Sequence, residues 1–225
     1  MIYNRFQNYL FSHKSSPYLG MDDILVQVYA RALKAILQKD AQSEIIYLGR
    51  GSRISKRQMT HLKEFRSKQI LHQKPWLHGH QLSSYAEEDF ADRLSYHLLA
   101  LKRNRIYGVL RITPYPFNFH RYLNISSDVL DQKQKYVEFD KFVTLNTDKK
   151  LNERIVNMAA VFSVLELNRQ GVMVAINLQS ENKLLKKGMK DCGVKIQLED
   201  QSYSLMNSSF KDFIPSRFKE LVVGR

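Results

Sequence analysis

The chain has 225 residues, 44% of them hydrophobic and 25% charged, which suits one sizeable core or one domain with an appended arm. Thirty-five Lys and Arg against 22 Asp and Glu leave a formal charge of +13. A field of that sign speeds encounter with nucleic acid, anionic lipid, a phosphorylated cofactor or an acidic protein. No apolar run approaches the ~18–20 residues that span a bilayer, and MIYNRFQNYLFSHKSS lacks the regions of a signal peptide. Cys192 is the single cysteine, which excludes an internal disulfide and makes the cytoplasm the expected location.

In chain order, residues 1–43 read as a helical arm. Ile24, Leu25, Val28, Ala32, Leu33, Ile36 and Leu37 recur at helical spacing behind Asp22 and Asp23. The apolar face is expected to pack on the main domain, the alternative being a peripheral membrane or dimer contact. The main domain, residues 44–225, opens with a strand from Glu44 to Gly49 and a basic helix from Ser52 to His72. An irregular stretch containing Pro75, Trp76 and Gly79 leads to a hairpin, YHLLALK and IYGVLRITP. Pro114 and Pro116 end its second strand, because neither donates to a ladder.

A polar loop reaches Lys135, and KYVEFDKFVTL alternates Val137, Phe139, Lys141 and Val143 against Tyr136, Glu138, Asp140 and Phe142. A helix from Leu151 to Arg169, stopped at Gly171, precedes the buried-type strand VMVAINL. A further helix from Ser180 to Asp191, ended by Gly193, precedes the strands GVKIQL and SYSLM. This order predicts an α/β fold with helices packed on one sheet.

Four short patterns carry chemistry. Arg66, Ile70 and Trp76 sit on and beyond the basic helix; Asp89 and Asp92 precede the hairpin; Gly108, Arg111 and Pro114 are spaced by threes; Glu138 precedes Asp140, Lys141 and Phe142. Together they resemble the acyl-homoserine-lactone synthases and the related long-chain N-acyl amino acid synthases, a branch of the GNAT (acyl-CoA N-acyltransferase-like) fold. That family carries R-x-x-x-F-x-x-x-x-x-W, D-x-x-D, G-x-x-R-x-x-P and E-x-S-R-F in this order. Ile70 replaces the Phe, and Asp140 and Lys141 replace Ser and Arg. A lysine cannot present a bidentate fork, and with the long arm this favours the amino acid synthase side.

The resemblance implies a mixed, mostly antiparallel sheet and an N-acyltransferase moving a long acyl group from a carrier-bound pantetheine thioester to an amino acid amine. An α-amine is mostly protonated near neutral pH, so Glu138 is the candidate base. Asp89 or Asp92 would hold the ammonium, and Arg111 would pair with them or grip the acceptor's carboxylate. The resemblance adds Arg66, Trp76, Lys141, Phe142 and Thr144 as substrate-binding candidates, the pantetheine running beside Phe142 to Leu145. TLNTDKKLNER holds no glycine to cradle a pyrophosphate, which favours acyl carrier protein over CoA as donor and co-substrate, with no tightly bound cofactor. Lys183, Lys186, Lys187 and Lys190 at helical spacing, with Lys149, Lys150 and Arg154, form the candidate docking face for that acidic partner.

Simpler readings stand beside these. Glu138 and Lys141 suit an ordinary strand pair, Arg111 and the aspartates a structural ion cluster, Trp76 a core wall, and the lysines a solvated face. His72, His78 and His80 lack the partners that complete a metal site, so no metal is expected. GRG at Gly49–Gly51 is too short for a nucleotide fingerprint, and Cys192 precedes a strand with no base near it. Leu99, Leu110, Phe117, Val161, Leu165 and Ile176 are candidates to close an acyl pocket. S-adenosylmethionine as amine donor, with a lactone product, remains the near alternative. A non-catalytic member of the fold and a basic nucleic-acid-binding protein remain the distant ones, although no nucleic-acid signature is visible and no specific nucleic acid is expected.

Overall fold

The computed structural model describes residues 21–39, 44–73, 90–102, 105–121, 133–145, 149–177, 185, 188–198, 201–216 and 218–219. Its strands are β1 (Glu44–Arg50), β2 (Tyr96–Lys102), β3 (Arg105–Pro114), β4 (Tyr136–Thr144), β5 (Gly171–Asn177), β6 (Lys190–Leu198) and β7 (Gln201–Ser209). Its helices are α1 (Met21–Lys39), α2 (Lys56–Gln73), α3 (Phe90–Leu94) and α4 (Lys149–Leu165). The strands form one seven-stranded sheet in the order β1-β2-β3-β4-β5-β7-β6. Neighbours are antiparallel except β4 and β5, which run parallel, as the connection through α4 requires. This is the mixed, mostly antiparallel helix-flanked sheet expected from the sequence.

Period-two alternation sends the strands' apolar residues to both faces. Leu98, Leu110, Ile112, Val137 and Val172 face α4, whose stripe Leu151, Ile155, Met158, Ala159 and Phe162 forms the largest core cluster with them. The alternate residues Leu99, Val109 and Val143 pack against Met59 and Leu62 of α2. Ser55 opens α2 with a capping box: its Oγ accepts from the Gln58 N–H at 3.3 Å, and Gln58 Oε1 accepts from the Ser55 N–H at 3.1 Å.

The arm helix α1 docks on the body. Ala30 and Leu37 enter the α4 cluster, and Arg154 Nη2 donates to the Leu37 carbonyl at 3.1 Å, satisfying a carbonyl at the helix end. At the other end Gln170 Nε2 donates to Asp23 at 3.2 Å and Lys211 pairs with Asp22 at 3.2 Å. Among the described residues no helix is long and apolar enough to cross a membrane.

Several boundaries differ from the sequence expectation. The basic helix starts at Lys56, because Gly51–Arg53 form a 3-10 turn first. The helix expected to run on to Arg169 ends at Leu165, and Asn168 at φ 51° turns the chain before Gly171, which is already in β5. Gly171 lies where a Cβ would meet the Tyr136 ring at 2.2 Å, so it serves close packing. Lys190 and Cys192 belong to β6, because Gly188 at φ 86° ends the preceding segment; Gly193 at φ 72° forms a bulge inside that strand. The expected lysine stripe of one helix therefore does not include Lys190, which lies 3.9 Å from Asp212.

Candidate functional site

The strand registers build the site. Opposite β3, Val109 pairs with Val143 and Arg111 with Asp140, so Lys141 and Phe142 together face Leu110 alone. This is a β-bulge, and Lys141 takes φ 45° within it. The bulge breaks the expected alternation: Lys141 does not share the face of Val137 and Phe139 but reaches Asp92 on the α2 face, at 3.5 Å. Asp140 and Lys141, consecutive in sequence, therefore meet the same cluster.

That cluster is a row across the sheet closed by two helices. His97, Arg111 and Asp140 are successive cross-strand partners on β2, β3 and β4. Arg66 occupies the inward stripe of α2 one turn after Leu62, and Asp92 comes from α3; both are fully buried. Asp92 Oδ1 lies 3.0 Å from Nη1 of Arg66 and 3.0 Å from Nη1 of Arg111. Arg111 forks onto Asp140 through Nε, at 2.7 Å, and through Nη2. Burial opposes the Asp92 charge, but Arg66, Lys141, Arg111 and His97 outweigh it and hold the carboxyl well below the usual range. Burial, then the Arg66 charge, pulls His97 down to about 4, so the ring is neutral near pH 7.

Gly51 seats α3 on this frame. Its N–H donates to the Ser95 carbonyl at 2.7 Å, and a Cβ there would stand 1.7 Å from the Asp92 carbonyl oxygen. The GRG tripeptide thus has a packing role at its second glycine.

Glu138 lies two residues from Asp140 and is 3% exposed. Its Oε2 accepts the N–H of Asn118, at the start of the 3-10 turn Asn118–Arg121. Burial, then the Asp140 charge, raises the Glu138 carboxyl well above the ordinary range against the pull of Arg111 and the Asn118 and Phe119 N–H groups. Phe117, Phe119, Met173 and Leu205 form a third apolar cluster on this side of the sheet.

Beside Glu138 the sheet opens. The β4–β5 ladder runs from Tyr136–Gly171 to Glu138–Met173 and stops, although both strands continue. The gap leads to a cleft of about 740 Å³ on the α4 face. Lys149, Asn152, Val156, Ala160 and Val164 mark its course along α4; Phe142 and Ile176 flank it on β4 and β5. Among the described residues, Asn152 Oδ1 is buried there without a hydrogen-bond partner. Val26, Tyr29, Ala30 and Leu33 of α1 form an outer wall.

The structure thus brings Arg66, Asp92, Arg111, Glu138 and Lys141 to one site. Phe142, 42% exposed, lines the cleft, and Thr144 packs against Gly108. Lys149 and Lys150 are exposed at the start of α4, whereas Arg154 turns to the α1 terminus. Trp76, Asp89, Lys183, Lys186, Lys187, His78 and His80 lie outside the described residues. Of the candidate pocket residues, Leu110, Val161 and Ile176 line the cleft; Leu99 and Phe117 belong to clusters on the opposite face, and Leu165 packs in the α4 cluster beside it.

Sequence reasoning missed His97 and Asp140 as members of the charged row. Their signal was a polar residue on a strand face that otherwise turns apolar, His97 sharing its face with Leu99 and Asp140 lying directly opposite Arg111. It also missed the α1 residues of the cleft, whose helical spacing reads only as a packing face.

No protein-family model and no curated protein matches the sequence. Solved structures do match the fold. The AHL synthase LasI superposes with a TM-score of 0.54 at 15% identity, covering 80% of this chain and 94% of its own. The CoA-dependent acyl-homoserine lactone synthase BjaI, solved with SAM and isopentyl-CoA, gives 0.55 at 15%, covering 79% and 90%. FeeM, an N-acyl amino acid synthase from uncultured soil microbes, gives 0.54 at 10%, covering 77% and 98%. The chain therefore has the acyl-CoA N-acyltransferase-like fold shared by these proteins.

Proposed function

We propose that this chain is an N-acyltransferase that moves a fatty acyl group from a pantetheine thioester to the amine of an amino acid. One observation supports the reading above the rest: the β4–β5 ladder ends at Glu138, so a buried carboxyl stands at the edge of a gap that leads into a long apolar cleft. A thioester in that gap would present its carbonyl to an amine on the Glu138 side and its chain to the cleft side.

The chemistry balances with this chain's own groups. Ionised Glu138 takes a proton from the acceptor ammonium, the freed amine attacks the thioester carbonyl carbon, and the C–S bond breaks as the amide C–N bond forms. The departing sulfur leaves as the thiol, taking up the proton that the attacking nitrogen gives up as the amide forms. Arg66, Asp92, His97, Arg111 and Asp140 hold one another and fix β3 and β4 around Glu138. The pantetheine arm carries amides, and Asn152, whose Oδ1 has no hydrogen-bond partner among the described residues, offers them an acceptor at the cleft mouth.

For the donor we favour acyl carrier protein, since exposed Lys149 and Lys150 lie by the cleft mouth and residues 144–154 contain no glycine to cradle a pyrophosphate. CoA is the alternative, given the likeness to BjaI. The same likeness keeps S-adenosylmethionine as the alternative acceptor.

Expression in a bacterial host beside the Glu138→Gln variant, with mass spectrometry of organic extracts, tests the reading. N-acyl amino acids present only with the intact chain support it, and labelled methionine in the product would move the assignment to a lactone. Extracts identical to those of the empty host, together with no binding of acylated carrier protein or acyl-CoA, would overturn it.

A further inference from the structure

We propose that the arm helix α1 gauges acyl-chain length, with Val26 and the facing Val164 of α4 forming the floor on which the methyl end of the chain stops. This rests on the acyl-transfer reading of the cleft and assigns the arm a part in it.

The cleft has a direction. From Lys149 to Val164 it follows one stripe of α4, a run of roughly 22 Å at the helical rise. Its α4 residues change from Lys149, Asn152 and Glu153 at one end to Ala160, Val161 and Val164 at the other. A polar entrance grading into an apolar end suits a molecule with a polar head and a hydrocarbon tail. Each methylene that such a tail buries tightens binding about fourfold, so the depth of the apolar end decides which chains bind well.

What closes that end is the arm. A second cavity of about 590 Å³ lies beyond it, lined by Asp22, Asp23, Lys133, Arg169, Lys190 and Lys211 among others. Val26 and Val164 line both cavities, which places them between the two. On the far side of this partition the surroundings are charged, so a hydrocarbon that passed it would lose its apolar contacts. Along the wall, Tyr29, Ala30 and Leu33 continue the α1 stripe at helical spacing, and the Tyr29 ring is braced edge-on by Phe218 at 4.9 Å. The anchors at both ends of α1, Arg154 to Leu37 and Gln170 to Asp23, hold the wall against the body.

The test uses the full chain and a graded series of saturated fatty acids from hexanoate to palmitate, with binding followed by native mass spectrometry. Val26→Trp, on a half-buried position, is expected to exclude the longest acids bound by the wild type while retaining shorter ones, and Val26→Ala to admit longer ones. Product profiles from the expressing host should shift the same way. If the wild type binds a set of acids and neither variant moves its upper limit, α1 is not the gauge, while the acyl reading of the cleft stands. If the wild type binds no fatty acid of any length, the acyl reading itself fails and the gauge with it. Should Val26→Trp not fold, as judged by circular dichroism, Val26→Ala and Leu33→Ala carry the test alone, and an unchanged limit in both would overturn the proposal.

Discussion

His97 accepts at Nδ1 a hydrogen bond of 3.1 Å from Nη2 of Arg66, since a guanidinium has only donors to give. The ring proton is therefore on Nε2, which donates to the Asp92 carbonyl at 3.0 Å. Protonating Nδ1 would set two donors against each other inside the sheet. Burial and the Arg66 charge accordingly keep the folded pKa near 4, against 6.5 for an ordinary imidazole.

Acid should destabilise the fold through this residue. A depressed folded pKa contributes stability that is present above the unfolded value and lost as pH falls through the folded one. Between pH 6.5 and 4 the loss is about 3 kcal/mol, and Asp92, depressed by its cations, adds to it at lower pH. Urea titrations at several pH values would show the wild type weakening across that window and His97→Gln weakening less. A wild-type midpoint that is flat over the window contradicts the neutral His97.

Arg111→Ala should lower stability as well as activity. As a group that only grips the acceptor's carboxylate, Arg111 would be expected to cost activity alone. The guanidinium is instead fully buried between Asp140 and Asp92. Removing one partner of a buried ion pair leaves an uncompensated charge at a cost of about 3–5 kcal/mol. The double variant Arg111→Ala/Asp140→Ala should lose less than the sum of the two single ones. Additive losses would show that the fork carries no coupling.

Gly51→Ala tests the seat of α3. The new methyl would meet the Asp92 backbone carbonyl at 1.7 Å, so α3 or the 3-10 turn must move. The expected loss is about 1–3 kcal/mol, with activity falling further because Asp92 shifts against Arg66 and Arg111. Gly49→Ala is the comparison: it strains a residue at φ 81° but meets nothing within 4 Å among the described residues. Equal effects of the two on activity would argue that Asp92 placement is not the cause.

The parts of this fold legible in the sequence are those where one period dominates. The β2–β3 hairpin alternates and α4 repeats its apolar stripe for four turns, so the sequence pattern locates both to within a few residues. The bulge at Lys141 was not legible, because it depends on a register mismatch with β3 that no local pattern records. The same mismatch aims Lys141 at Asp92. The end of α4 was missed because Asn168, an ordinary polar residue in sequence, adopts the left-handed turn that Gly171 was expected to supply. Family spacing points to Arg66; physically it announces itself as a cation on the stripe of Met59 and Leu62, where a helix otherwise places an apolar residue.

Glu138→Gln separates function from stability. A buried carboxyl whose pKa is raised in the fold keeps its proton longer than the unfolded chain does. Its contribution is therefore full below the unfolded value of 4.5 and is lost as pH rises toward the folded one. Glutamine keeps an oxygen to accept the Asn118 N–H and has no charge to bury. The variant should match the wild type in stability near pH 4 and exceed it at neutral and alkaline pH, as differential scanning calorimetry would show. Turnover should fall by about 100- to 10,000-fold if Glu138 is the base. In the wild type the rate should rise with pH along a limb set above the ordinary carboxylate range, and that limb should vanish in the variant. A variant that keeps full turnover and the wild-type pH profile would remove Glu138 from the chemistry and leave it a buried strand residue held by the Asn118 N–H.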